Sequence, residues 1–470
     1  MLFSGIPFLF YFLPVVLICY FLAPKFAKNG VLLVSSLVFY AWGEPKYVLL
    51  MLISILVGYF AGLFTERAKS KKVKRRIMIL GTVICLSLLL YFKYADFFIS
   101  NFNAATGMSV KLLGLVLPVG ISFYTFQIIS YMVDVYRGEA KAQKNIIALA
   151  TYISLFAQLI AGPIVRYSDM EKQLTCRVHS YEKIIYGIKR FVVGLSKKIL
   201  IANVIGELVV VFRGSIEPSV GFYWMYAVAV SLQIYFDFSG YSDMAIGLGY
   251  IFGFELMENF SYPYTSKSIT EFWRRWHISL GRWFRDYVYI PLGGNRVSKI
   301  KWLRNIFVVW FLTGFWHGAD WNFILWGLLF AVMLTLEKIG LLEFLKKHNV
   351  IGHIYVIFIV VLGFVIFSAS DMKQITEDFG GMFGLRGLPL WTASTGYYFR
   401  SYFVIMALAV AGSTSLPYKC VCWIKEVVNK KESGKIIWSC IEVIALVVMF
   451  MLCVAFLVDG SFNPFLYFRF

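Results

Sequence analysis

The chain has 470 residues, 60% of them hydrophobic and 15% charged, with a net charge of +19. Soluble domains run near half apolar and about a quarter charged, so a string of soluble domains is excluded and a polytopic membrane protein is predicted. The cations lie in short loops between apolar runs, which fits cytoplasmic loops facing lipid and argues against a nucleic-acid surface.

The first apolar run, 5–23, has no basic segment before it and no small-residue cleavage site after it. It reads as a retained membrane helix, not a signal peptide. Runs near 31–42 and 46–65 follow. Next comes "RAKSKKVKRR", Arg67 to Arg76, with seven cations, no acid and no aromatic residue. That block predicts a cytoplasmic loop against anionic lipid, and the three spans before it put the N-terminus outside. Runs near 77–96 and 116–135 lead to "RGEAKAQK" (137–144), which falls on the same side as the first basic block.

Further runs lie near 146–164, 187–211, 222–254, 304–338, 353–369, 402–415 and 436–458. A spanning helix needs about 20 apolar residues. The chain therefore predicts an all-α, polytopic membrane bundle of about 10–13 helices by that length rule, in one integral-membrane domain over 1–470. The runs 222–254 and 304–338 each have room for two shorter helices. Pro118, Gly120, Gly162 and Pro163 interrupt two runs. Irregular backbone at membrane depth is tolerated only where it is buried in protein or lines a cavity.

The seven cysteines show no metal-ligand spacing, and their odd number excludes a full disulfide framework. No metal site is expected. Asp237 and Asp243, in "QIYFDFSGYSDMAIG", fall on different sides of a continuous helix, which argues against a shared metal. Structural hydrogen bonding is expected there, with the arginines of 274–285 as candidate partners.

The longest stretch without a clean span is 255–303, and it contains "TEFWRRWHISLGRWFRDYVYIPLGGNR". On a helix over 273–287, Trp273, Trp276, Leu280, Trp283, Phe284 and Tyr287 share an apolar arc, opposite Arg274, Arg275, Arg282, Arg285 and Asp286. That pattern predicts an amphipathic interfacial helix, with His277 at the boundary of its faces. Its arginines serve either as interfacial anchors or as a phosphate-binding face for a donor.

In "TGFWHGADWNFILWGLLF" (313–330), Trp310, Gly314, His317, Gly318 and Trp321 share one helical face. The glycines would leave a slot walled by tryptophan. Asp320 is within reach of His317 or its neighbours, Trp316 among them. Ionisable residues inside a membrane are costly and mark pathways or active sites, although a core histidine bonded to a carbonyl is the plainer reading. Of five histidines, His179, His348 and His353 lie in loops or at span ends, which leaves His277 and His317. There is no G-x-S-x-G, no H-E-x-x-H and no Ser/His/Asp or Cys/His constellation. The residues themselves point to a two-histidine intramembrane site with acid–base or acyl-transfer chemistry. A transporter using His317 as a proton relay stays open, although no paired broken segments mark two repeats.

The segments "DFSGYSDMAIGLG" (237–249), "MENFSYPYTSKSITEFWRRWHISLGRWFRDYVYIPLGGNR" (257–296) and "FLTGFWHGADWNFILWGLL" (311–329) resemble the membrane-bound O-acyltransferase family. The branch they resemble is that of the alginate O-acetyltransferase membrane subunit. "PVGISFYTFQIISYMVDVYRG" (118–138), "LIAGPIVRY" (159–167) and the terminal "NPFLYFRF" fit as well. The resemblance implies a helical bundle hollowed from both faces, with a central tunnel. It implies His317 as the catalytic histidine and His277 as the second. It implies no tightly bound cofactor, with acetyl-CoA as a cytoplasmic donor substrate. It implies transfer of the acetyl group across a bacterial plasma membrane to an extracellular or cell-wall polysaccharide, with a secreted SGNH-hydrolase-like partner. A D-alanyl-exporting branch carries similar "FWRRWH" and "GFWHG" motifs, but "GYSDMAIG", "MENF" and "LGGNR" favour the acetylating branch.

Overall fold

The computed structural model describes residues 2–160 and 162–460. The terminal "NPFLYFRF" motif lies outside the described residues. Among the described residues every regular element is helical, as expected where hydrocarbon leaves backbone groups no partner except their own helix.

By length and hydropathy, five helices among the described residues are able to cross a membrane: Pro45–Arg67, Lys71–Thr106, Trp321–Lys347, Asn349–Ser368 and Glu432–Val458. A sixth span results if Ala393–Gly412 and Leu416–Val428, bent by 71°, count as one. Most of the other predicted runs are realised as shorter or interrupted helices. The run 146–164, for instance, divides into Ile146–Ser154 and Phe156–Leu159. The run 304–338 is indeed two helices, Lys299–His317 and Trp321–Leu336. The run 222–254, with room for two, is instead one continuous helix, Val220–Ile251.

The Lys71–Thr106 helix has 36 residues, about 54 Å at roughly 1.5 Å per residue. That exceeds a hydrocarbon core of about 30 Å, so its basic first turns project beyond the apolar layer. It packs with Val48–Arg67 and Ile121–Arg137. The peptide N–H of Ala142 donates to Glu66 and the Tyr59 hydroxyl donates to the carbonyl of Lys144. These bonds bring the basic stretches 67–76 and 137–144 to the same face of the bundle.

Val220–Ile251 is buried along most of its length and packs most extensively against Tyr181–Ser196. Glycine lets the two backbones approach: a Cβ on Gly187 would stand 2.6 Å from the carbonyl oxygen of Gly247, and one on Gly194 equally close to that of Gly240. Small residues at such spacing are how membrane helices gain close packing without a hydrophobic drive between them. The same interface holds the two aspartates. Lys198 pairs with Asp237 at 2.6 Å, both side chains only 2% exposed. Arg190 and Lys197 pair with Asp243 at 2.7 and 2.6 Å. The expected link to the arginines of 274–285 is thus corrected, because close helix packing delivers cations from 190–198 first.

Two hydrophobic clusters make up the core, one around the N-terminal helices and one around 356–382, and Phe260 packs against both.

Candidate active site

The predicted continuous helix over 273–287 is not formed. The chain makes Ile269–Arg275, leaves the helix at Trp276, and restarts as Ile278–Phe284 before a wider turn at Arg285–Tyr289. The break is at His277, whose φ of 43° is left-handed. For an L-residue with a Cβ this costs about 1–2 kcal/mol, so neighbouring structure must hold it. The segment 259–261 does so. Ser261 N–H donates to Arg275 carbonyl at 2.9 Å, and Ile278 N–H donates to Asn259 carbonyl at 3.0 Å. Upstream, the Ser268 hydroxyl caps the first helix by accepting from Glu271 N–H, and buried Glu337 accepts from the N–H groups of Ile269 and Thr270.

His277 is 2% exposed. Its Nδ1 faces Asn259 Oδ1 at 3.2 Å, and that oxygen also accepts from Ser279 N–H at 3.2 Å and from the Ser279 hydroxyl at 2.9 Å. A backbone N–H can only donate, so the amide oxygen, not its nitrogen, faces inward. The proton of neutral His277 is therefore on Nδ1, and Nε2 carries the lone pair. Nε2 is buried with no hydrogen-bond partner among the described residues.

His317 is the last residue of its helix, and Gly318 is extended. The predicted single face through Trp310, Gly314, His317, Gly318 and Trp321 therefore stops at His317. A side chain on Gly314 would strike the Phe323 carbonyl, and one on Gly318 would strike the Phe323 ring. The glycines thus admit the next helix rather than leave a slot. His317 is 6% exposed, and its Nδ1 also has no hydrogen-bond partner among the described residues. Its ring meets Trp316, Trp326 and Phe367 at centroid distances of 5.0, 5.2 and 5.2 Å. Trp316 lies 6.2 Å from His277 as well, so one indole touches both imidazoles. Phe126 and Phe123 hold that indole in turn.

Each histidine lines a different cavity. His277 belongs to one of about 690 Å³, walled by Trp273, Trp310 and Phe284 and bearing Arg274, Arg282, Arg285 and Lys338. His317 and Trp316 belong to one of about 40 Å³, lined also by Lys93, Ser122 and residues 117–121. The large cavity lies toward the face with the basic stretches. Asp286, beside Arg282 and Arg285, pairs with Arg166 at 2.9 Å, and its carbonyl accepts from Arg137.

The remaining predicted residues divide. Arg274 and Arg282 line the large cavity; Arg282 is also near Asp169, at 3.5 Å. Arg275 turns away, to Glu271 at 2.6 Å and Thr265 at 3.0 Å. Trp321 does not wall His317: it is 52% exposed and donates to Asn101 at 2.9 Å. Asp320 is exposed at the start of the next helix. Both displacements follow from the break at 318, which rotates everything after it. Three neighbours of the histidines were not singled out from sequence. Trp326 is the sixth residue of the helix that follows the break, and the others are Asn259 and Lys93. The "MENF" motif contains Asn259, and a lysine at the end of a predicted span was a visible signal for Lys93.

Fold and site together define a polytopic membrane protein with a polar, two-histidine centre inside a helical bundle. The family model for MBOAT, the membrane-bound O-acyltransferase family, matches residues 141–369, which contain both histidines. The chain is similar to the probable alginate O-acetylase of Pseudomonas putida, with 38% identity across the whole of both chains. It is 43% identical to that of Pseudomonas aeruginosa over 82% of this chain and 75% of the relative. It is 37% identical to a peptidoglycan O-acetyltransferase of Helicobacter pylori over 83% and 81% of the two chains. The chain belongs to the membrane-bound O-acyltransferase family and is a multi-pass membrane O-acyltransferase.

Proposed function

We propose that this protein, acting as a single integral-membrane domain, passes an acetyl group from acetyl-CoA on the cytoplasmic side across the membrane for O-acetylation of an envelope or extracellular polysaccharide. The observation that carries this reading is the pair of imidazoles in contact with one tryptophan, each lining a cavity of its own. The larger cavity suits a phosphorylated thioester. Its cations face the basic side of the bundle, guanidinium matches phosphate geometry, and apolar walls with a few polar groups are usual for such sites. Names of the relatives, alginate and peptidoglycan O-acetylases, support acetyl as the group and a polysaccharide as the acceptor. An SGNH-hydrolase-like partner outside would complete the transfer.

His317 and His277 are the reacting imidazoles in this reading. One takes the proton of the attacking hydroxyl, the hydroxyl oxygen bonds to the acyl carbon, the C–S bond breaks, and the proton leaves with the thiol. Nε2 of His277, with its lone pair free, is able to accept a proton without rearranging its clamp.

Proteoliposomes test the proposal. Radiolabelled acetyl-CoA is supplied on one side and the acceptor glycan, with or without a candidate partner, on the other. Free CoA thiol and label in the glycan should rise together. Turnover with a D-alanyl carrier thioester and none with acetyl-CoA would replace this reading by the D-alanyl one. A proton flux without any acyl transfer would favour a transporter.

A further inference from the structure

The helix that ends in His317 stops against two adjacent residues, Lys93 and Tyr94, in the middle of Lys71–Thr106. The Tyr94 hydroxyl donates to the carbonyl of Phe315 at 2.7 Å. Lys93 Nζ donates to the carbonyls of Trp316 at 2.5 Å and His317 at 3.1 Å, and to the Ser122 hydroxyl at 3.4 Å. The last carbonyls of any helix lack intrahelical partners. Here three in succession are taken by one two-residue unit. The chain itself has little to offer them, because Gly318 is extended, with φ −160°, and its N–H reaches only Gly314, at 3.4 Å. A cation at this end also opposes the negative pole of the helix dipole.

An ammonium has three N–H donors, and the two carbonyls with Ser122 account for all three. Lys93 is therefore committed to two main-chain carbonyls and one hydroxyl, although it lines the same small cavity as His317. A lysine drawn into a bundle costs more than one left to snorkel to the interface. The bonds it makes hold the residue that carries the imidazole.

We propose that Lys93 is a positioning residue: its ammonium locks the last turn of Lys299–His317 so that the His317 ring stands between Trp316, Trp326 and the small cavity. Its effect on turnover rests on the reading of His317 as a reacting imidazole.

Two measurements test this. In proteoliposomes, Lys93→Met should lower kcat at least about tenfold and leave the KM for the thioester unchanged, as expected when a transition-state group is misplaced while substrate binding is intact. Lys93→Arg, which keeps charge and donors, should recover part of the loss, and Tyr94→Phe should lose less than Lys93→Met. Independently of activity, the reactivity of His317 toward diethyl pyrocarbonate, read by mass spectrometry on purified protein, should change in Lys93→Met while that of His277 does not. Wild-type kcat in Lys93→Met, or a raised KM with unaltered His317 labelling, overturns the proposal; the second would mean that Lys93 binds substrate directly. Should Lys93→Met fail to reach the membrane, Lys93→Gln decides by the same labelling shift. If His317→Ala keeps full activity, the functional reading falls, and the labelling result still decides whether Lys93 positions that ring.

Discussion

Asn259 Oδ1 and His277 Nδ1 lie 3.2 Å apart, and the same oxygen accepts from Ser279 N–H and the Ser279 hydroxyl. That side-chain amide sets the tautomer of the histidine and anchors Ser279, while the Asn259 main-chain carbonyl and Ser261 hold the left-handed backbone of the break itself. Ser279 in turn accepts from the N–H of Ile164 at 3.0 Å, which ties the clamp to the "AGPIV" segment.

Removing that amide separates the two duties. Asn259→Ala should reduce acyl transfer at least about tenfold and lower stability by about 1–3 kcal/mol, since buried donors lose their acceptor. Turnover and detergent-phase melting are measured side by side. Full activity with unchanged melting would show that the tautomer is set elsewhere.

His317→Ala should abolish acyl transfer while the protein still accumulates in the membrane. Loss of one reacting group can cost several powers of ten in rate. The acetyl content of the surface polymer is compared with immunodetected protein. Normal acetylation at normal abundance would remove His317 from the chemistry.

The cations of the large cavity should act on donor binding. Arg274→Gln and Lys338→Gln are each expected to raise the KM for acetyl-CoA several-fold with kcat nearly constant, the signature of lost uniform binding. The effect should shrink when CoA is replaced by a short acyl thioester without phosphates. A fall in kcat at constant KM would assign these residues to another step.

Sidedness follows from the bundle ends. In a background without its seven native cysteines, a cysteine replacing Ser70 should resist an impermeant thiol reagent in intact cells. One replacing Asp320, near the other end of the bundle, should react. The reverse pattern would invert the proposed orientation and place the larger cavity outside.

Whatever depends on composition and on neighbours along the chain was legible in the sequence. Hydropathy gave the membrane class, because burying apolar residues in lipid needs no tertiary partner. Run length left room for a division in both 222–254 and 304–338, and only the second is divided, at the break after His317. The "RRWH" and "GFWHG" motifs singled out both histidines. The rest came from packing between distant segments, for a definable reason. The break at His277 depends on Asn259, 18 residues earlier, and no helical periodicity registers a clamp from another segment. Lys93 reaches the His317 carbonyl across 224 residues. Trp321 would wall His317 only on an unbroken helix, and the helix ends at His317. Asp237 and Asp243 found their cations on 190–198 because glycines at 187, 194, 240 and 247 let those two helices touch. Where a local period is interrupted by a single extended or left-handed residue, every side chain beyond it points elsewhere, and only the packed fold says where.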